Sequence, residues 1–507
     1  MSRPDTLTWL AGHELRLGWR DWVSLMTAGR RTRARTVTVA LAVFAVFMHA
    51  LAYSMVARYA DAVADKPTLV IVTGCALLSF SLLLSQAMES ATRAFYARAD
   101  LDLILSSPVS ARKVFAIRIA RIAASVALIA MLLAAPFIDV LAVLGGARWL
   151  AAYGVVAAMG ALAAAFAVAL TIALFRAIGP KRTRLVAQIM AAVIGASFVI
   201  GLQVAAILSY GNLSRFSALQ SEWLIAHAPD VDSIVWWPAR AVLGEGVPLL
   251  AVMAVSLALL GAAIAVFSGR FGEHATAAAG VSSTVVRQRR WSSGFRRRSA
   301  ARVLRQKEWT LLARDPWLVS QTLMQILYLV PPALMLWLSF RDGNSALVVM
   351  VPVVVMAAGQ LAGGLAWLSI SGEDAPDLVA TAPIPARRII GAKIEAVMGA
   401  IALVFAPLIV ALAFASPRAA LVCAVGVLIA AASSTQIQLC FRVQARRSQF
   451  RRRQTSSRIA TFAEAFSSIG WAATAALAAG GSWLALFPAF IALGILAGVW
   501  VIRPANN

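Results

Sequence analysis

Cysteine, histidine and acidic side chains are scarce in this chain of 507 residues, which holds three Cys, four His and 22 Asp and Glu. Cys75, Cys423 and Cys440 stand inside or at the end of apolar runs. They form neither a zinc spacing nor a disulfide framework, and the pattern predicts buried, inert thiols. His13, His49, His227 and His274 are scattered without metal-ligand spacing; His227 near Asp230 and Asp232 is the one weak grouping. A membrane-embedded lipid or glycan transferase would need clustered Asp, Glu or His at the membrane surface, so this scarcity argues against it. Also missing is the sequence G-x-x-x-x-G-K-(S/T), whose backbone amides and lysine would hold nucleotide phosphates. The chain is therefore expected neither to hydrolyse ATP nor to be an enzyme, and to bind no cofactor of its own.

Charge of any sign is scarce too, at 13%, against 61% hydrophobic residues. Soluble domains carry roughly a quarter charged residues, so the composition predicts an integral membrane protein. What charge exists is lopsided, 46 Lys and Arg giving a net +24. These cations sit in short clusters between apolar runs, as juxtamembrane anchors beside anionic lipid do, and not as a nucleic-acid-binding face. No cleavable signal peptide is visible; the first apolar run begins near Val37 behind the basic leader GRRTRAR and reads as a retained anchor.

A hydrocarbon core of roughly 30 Å takes about 20 apolar helical residues to cross. Twelve segments qualify: 37–57, 67–88, 119–144, 149–174, 185–209, 247–267, 317–340, 346–371, 394–415, 419–440, 459–479 and 482–502. The fourth and eleventh are Ala-rich. With the N-terminus in the cytoplasm, the outer loops hold only Arg58, Lys66, Arg148, Arg215, Arg240, Arg341 and Arg418 of the 46 Lys and Arg residues. That asymmetry is what the positive-inside rule demands, and it predicts both termini inside.

The chain repeats itself. DLILSSPVSARK at 102–113 returns as DLVATAPIPARR at 377–388, with Asp, Leu, Pro, Ala and Arg at the same five places. HELRLGWRDW at 13–22 is echoed by KEWTLLARDPW at 307–317, matching Glu14 with Glu308, and Phe175-Arg176 by Phe441-Arg442. The expected architecture is all-α: about twelve transmembrane helices in two pseudo-repeated six-helix bundles of the same orientation. The expected parts are an amphipathic N-terminal segment (1–36), a first half (37–270), a basic linker with an interfacial helix (271–316), and a second half (317–507). RQRRWSSGFRRRSAARVLRQ at 287–306 and RRSQFRRRQTSSR at 446–458 read as solvated anchors beside anionic lipid. The halves differ outside the membrane, where 211–246 is long and its counterpart is only Gly480-Gly481-Ser482. The long loop reads as a surface-lying amphipathic segment, or a cap or gate, with Trp223, Trp236 and Trp237 at headgroup level.

In the repeated motif, Asp102 or Asp377 opens a short Leu-containing helical turn, and Pro108 or Pro383 stops it. Ser110 is placed to cap the next helix, and Pro385 suits a first helical turn. Arg112-Lys113 and Arg387-Arg388 follow as cationic anchors where the next span begins. The result is a helix, a sharp corner and an anchor, tied directly to two spans and facing the cytoplasm. This motif, KEWTLLARDPW ahead of a span and WWPARAVLGEG outside resemble ABC transporter permeases of the type-2 exporter class, particularly the larger bacterial ones. The resemblance implies a fused pair of six-span units in the bacterial cytoplasmic (inner) membrane, forming a translocation pathway for an export substrate it does not identify. It implies that Asp102, Pro108, Arg112, Lys113, Asp377, Pro383, Arg387 and Arg388 belong to coupling helices. These would dock on two copies of a separate cytosolic ABC-type ATPase, where ATP would bind.

Ionisable groups inside a span are costly, by roughly 2.5–3.5 kcal/mol at a helix centre, and so mark candidate pathway residues. His49 lies mid-span, Asp139 near the outer end of the third span just after Pro136, and Glu464 near the inner end of the eleventh. The plain alternative places Asp139 and Glu464 within reach of headgroups and His49 neutral in helix packing. Gln203, Gln321, Gln325 and Gln360 could line a pathway or bridge helices. An ion-coupled secondary transporter shares the twelve-span count, but it calls for deep carboxylates and broken helices, and few deep carboxylates occur here.

Overall fold

A backbone crossing hydrocarbon must satisfy its own amides and carbonyls, and within one continuous segment only a helix does so. The structure, a computed structural model, describes residues 34–96, 110–210, 222–268, 299–314, 347–371, 381–440 and 458–502, with a few isolated positions elsewhere. Among the described residues there are α-helices and short 3-10 turns and no strand. Nine of these helices are long and apolar enough to cross a membrane, so this is an integral membrane protein. They match nine of the twelve expected spans. Of the other three, 185–209 and 459–479 are helical but outside the nine, and 317–340 lies almost wholly outside the described residues. The chain divides into two compact units, Met1–Val285 and Val286–Asn507, and the boundary falls within 271–316.

The first unit is built on α1 (Ala34–Val56), α2 (Lys66–Tyr96), α3 (Ala111–Gly145) and α4 (Ala151–Tyr210), completed by α5 (Glu222–His227), α6 (Trp237–Val242) and α7 (Gly246–Ser268). α4 is two helices joined at Gly179, whose φ of 72° and ψ of 167° lie outside the helical region and suit glycine. Pro180 then opens the second limb, where its missing N–H is harmless. The chain reverses there. Phe80 meets Phe166 edge to face at 6.5 Å, while Gly195 packs on Ser85. Positions 166 and 195 would be about 43 Å apart on a straight helix, yet both touch one short stretch of α2. Small residues permit this density: Ala163, Ala164 and Ala167 are fully buried against α2, and Gly160 sits on the backbone of Ala127 in α3.

At the end opposite Arg112 and Lys113, residues 222–245 fold into a small cap. Trp236, 5% exposed, fills its centre with Leu69, Val70, Trp149, Ala239 and Leu243, and its indole donates to the Pro229 carbonyl at 3.3 Å. This corrects the expectation of a surface-lying segment: Trp236 is a core residue of a cap, whereas Trp223 is exposed. Salt bridges hold the rim, Lys66 to Asp230 at 3.2 Å and Arg240 to Glu245 at 2.8 Å. The hydrogen bond that Arg240 donates to Glu245 raises the Arg240 pKa above its ordinary value, against a smaller opposing effect of burial. Below the cap, the carbonyl of Ala60 accepts from Arg148 Nη2 and Trp149 Nε1, each at 3.0 Å.

The second unit contains α8 (Ala300–Arg314), α9 (Leu347–Ser371), α10 (Ala386–Ala415), α11 (Pro417–Cys440), α12 (Arg458–Ala479) and α13 (Leu486–Ile502). α9 is its centre: Val351, Val354, Val355, Ala358, Leu361, Ala362, Leu365 and Leu368 are all buried, packed on α10, α11 and α12. Gly359 and Gly363, one turn apart, let α12 approach closely, Gly359 against Ser468 and Gly363 against Glu464. α12 turns into α13 through Gly481, at φ 78°, and Ser482, whose hydroxyl accepts from the Leu484 amide.

An ideal Cβ on Gly145 would lie 2.1 Å from the Ala60 carbonyl oxygen, which two side chains already hold in place. Gly145→Ala is therefore expected to destabilise the first unit by about 1–3 kcal/mol through overpacking. Thermal unfolding of the detergent-solubilised protein checks this, and wild-type melting would refute it.

Candidate functional site

α8 carries the segment KEWTLLAR, and its buried stripe is Leu304, Glu308 and Leu312, spaced four residues apart on one face. A carboxylate with 0% exposure in such a stripe needs a cation, and α10 supplies it. Lys393 Nζ donates to both carboxylate oxygens of Glu308, at 3.1 and 3.2 Å, and its own side chain is only 12% exposed. The same ammonium donates to the carbonyl of Ser369, near the end of α9. Flanking contacts extend the seam along α10: Arg305 pairs with Glu395 at 2.7 Å, and Trp309 covers Gly399, where a Cβ would have 2.9 Å to the indole. Lys307 adds a second cation at 3.5 Å from Glu308. One buried ion pair thus joins α8, the end of α9 and the start of α10.

The first unit closes the same loop in the same way. Arg118 Nη1, from the start of α3, donates to the Ala94 carbonyl near the end of α2 at 3.3 Å. The sequence distance from Arg118 to Lys393 equals that from Ala94 to Ser369, from Asp102 to Asp377 and from Pro108 to Pro383. Each copy of the repeated motif therefore begins between two helices that are tied together by a cation of the later helix bonding a carbonyl of the earlier one. Such charge-assisted hydrogen bonds contribute roughly 1.5–3 kcal/mol each.

Of the motif residues, Arg112, Lys113, Pro383, Arg387 and Arg388 are exposed, while Asp102, Pro108 and Asp377 lie outside the described residues. Ser110 takes the N-cap position of α3 with its side chain uninvolved; its carbonyl receives the Lys113 amide at 3.0 Å. Pro385 is the N-cap of α10, one place earlier than the expected first helical turn. Helix α3 runs on through Pro136.

The three candidate pathway residues acquire partners that sequence distance concealed. Asp139 accepts from the Tyr153 hydroxyl at 2.7 Å, and its other oxygen lies 3.4 Å from His49 Nε2, so these two candidates come together with a third residue. Glu464 is 6% exposed and accepts from Gln438 Nε2 at 2.5 Å, with its carboxylate against Gly363, where a Cβ would come within 2.0 Å. It is a buried group of α12. Ser434 and Ser468 continue this polar strip at 3.4 Å. Gln360 is exposed, Gln203 half-buried, and Gln321 and Gln325 lie outside the described residues. Among the described residues no group of three or more His, Cys, Asp or Glu is placed to hold a metal. Cys75, Cys423 and Cys440 take part in no disulfide, and Cys423 is buried.

No family model matches the chain, no curated protein matches it in sequence and no solved structure matches it in fold.

Removing one partner of a buried ion pair strands the other charge, at a cost of about 3–5 kcal/mol, whereas an apolar pair of similar volume is close to neutral. Lys393→Met is expected to lose that much stability, and Lys393→Met combined with Glu308→Leu to regain most of it. Unfolding curves of the four members of this cycle check the coupling, and additive effects would refute it.

Proposed function

We propose that the chain is the permease subunit of an ABC-type exporter. In this reading it is a twelve-span protein of two six-span repeats with both termini in the cytoplasm, driven by two copies of a separate cytosolic ATPase. The observation that carries the reading is the paired clasp, Arg118 on Ala94 and Lys393 on Ser369, at equivalent distances from the two copies of the motif. A loop that only joins two spans has no need of a closed base. A loop that must pass a push from a soluble partner into two helices does, because a slack base would absorb the displacement. The exposed Arg387 and Arg388, and Arg112 and Lys113, stand beside the loop where a partner or anionic headgroups would meet them.

Helix packing supports the repeat. In the first unit α2 packs on both limbs of α4, α3 on α2 and α4, and α7 on α4. In the second unit α9 packs on α11 and α12, α10 on α9 and α11, and α13 on α12 and α11. Pairing the spans in chain order matches these contacts, although α7 also packs on α3, which α13 and α10 do not repeat to the same extent. In each unit a glycine–serine contact also joins the second span to the fifth, Gly195 to Ser85 and Gly359 to Ser468.

The reading predicts that Asp102→Ala with Pro108→Ala, and Asp377→Ala with Pro383→Ala, reduce co-purification of the ATPase at least about tenfold, a loss of roughly 1.4 kcal/mol of binding. Membrane insertion should be unchanged. Unaltered ATPase recovery with all four substitutions would overturn the reading. A second reading, an ion-coupled secondary transporter, is favoured by the His49–Asp139–Tyr153 cluster; transport driven by a proton gradient in vesicles free of any ATPase would decide for it.

A further inference from the structure

His49, Asp139 and Tyr153 come from α1, α3 and α4, and their geometry offers a place for one shared proton. His49 Nδ1 lies 2.7 Å from the carbonyl of Ala45, an oxygen that can only accept, so Nδ1 carries hydrogen. In a neutral ring Nε2 is then a bare lone pair, and it faces Asp139 Oδ2 at 3.4 Å. Two lone pairs do not bond. The gap between Nε2 and Oδ2 has room for one shared proton, as imidazolium beside carboxylate or as imidazole accepting from carboxylic acid. The Tyr153 hydroxyl fills one position on Oδ1 at 2.7 Å. With the proton the pair is neutral; without it the pair is an anion within an apolar helix bundle, roughly two turns, about 9 Å, short of the end of α3.

The cluster is also open to the side. The side chains of His49 and Asp139 are 40% and 43% exposed, and their neighbours one turn away on α1 and α3, Val46, Tyr53 and Val143, are exposed apolar groups. α1 packs on α3 and on the turn that follows it, and leaves most of its surface uncovered. Of the other titratable groups on the elements packed here, Arg58 lies over the Tyr59 ring and Arg148 donates to Ala60. Arg112, Lys113, Arg118 and Arg121 stand in the first turns of α3, far from Asp139, and those of α4 begin only at Arg176, well beyond Tyr153. Tyr53 on α1 is the other titratable side chain beside the cluster.

We propose that this cluster is an exchange site that holds either one proton or the head of an organic ammonium with an apolar tail. When the shared proton leaves to water, the pair passes from zero to one negative charge. An ammonium then restores neutrality by donating to Asp139 Oδ2 and His49 Nε2, the two acceptors that the proton had bridged. Its tail lies along Val46, Tyr53 and Val143. This assignment stands apart from the coupling role of the repeated motif and does not depend on an ATPase.

The test is binding of radiolabelled dodecylammonium to the full chain in lipid nanodiscs, with the signal of empty nanodiscs subtracted. Competition for one proton makes the apparent affinity rise about tenfold per pH unit until the pair has released it, then level off. Unlabelled dodecylammonium should compete and dodecanol should not. Asp139→Asn should abolish saturable binding at every pH. His49→Gln, which keeps the carboxylate but cannot take the proton, should bind at high pH and lack the wild-type pH profile. Equal binding by wild type and Asp139→Asn, a wild-type affinity flat in pH, or a His49→Gln profile identical to wild type would each overturn the assignment.

Discussion

The ammonium of Lys393 reaches a carboxylate on one helix and a main-chain carbonyl on another, from a third helix that carries it. Almost everything at this end of the second unit depends on that shared cation. Glu308 lies on the apolar stripe of α8 and would be intolerable there as an unpaired charge. The carbonyl of Ser369 lies close to the end of α9, where the last turn of a helix leaves carbonyls without intrahelical donors. Lys393 answers both needs at once, and in doing so fixes the width of the loop from α9 to α10. Hydrophobic contacts would hold the same helices together without specifying their register; a charge with only three hydrogens to give does specify it.

The helices themselves were readable in the sequence, since a run of about 20 apolar residues leaves few alternatives. The repeated motif and its exposed cations were readable too, because proline and clustered arginine leave strong local marks. The clasps were not. Lys393 and Arg118 stand close enough to the start of a span to pass for snorkelling anchors, and only the carbonyl across the loop distinguishes them. Glu308 could have been found: Leu304, Glu308 and Leu312 share a helical face, and a carboxylate between two leucines at that spacing announces a buried partner. The cap was hidden for another reason. Trp236 and Trp237 are adjacent and chemically alike, yet one is core and the other half-buried, which depends on how 222–245 folds over α2 and α3.

His49 and Asp139 illustrate the limit of reading ionisable residues singly. Each taken alone suits a bland account, one in helix packing and one near headgroups. Together with Tyr153 they form a chain of polar contacts across three helices, with room for one shared proton between His49 and Asp139.

Glu464 and Ser468 meet α9 at Gly363 and Gly359, and this seam has a mechanical consequence. Two helices touching through hydrocarbon can slide by small amounts at little expense, because dispersion contacts exchange gradually. Where a carboxylate and a hydroxyl rest in the notches left by glycines, a small slide meets backbone and a larger one must find the next notch. Motion of α12 along α9 would then be stepwise, with a stride near one helical turn, about 5.4 Å. The glycine pair would serve as the notches of a ratchet and give the second unit discrete positions in place of a continuum.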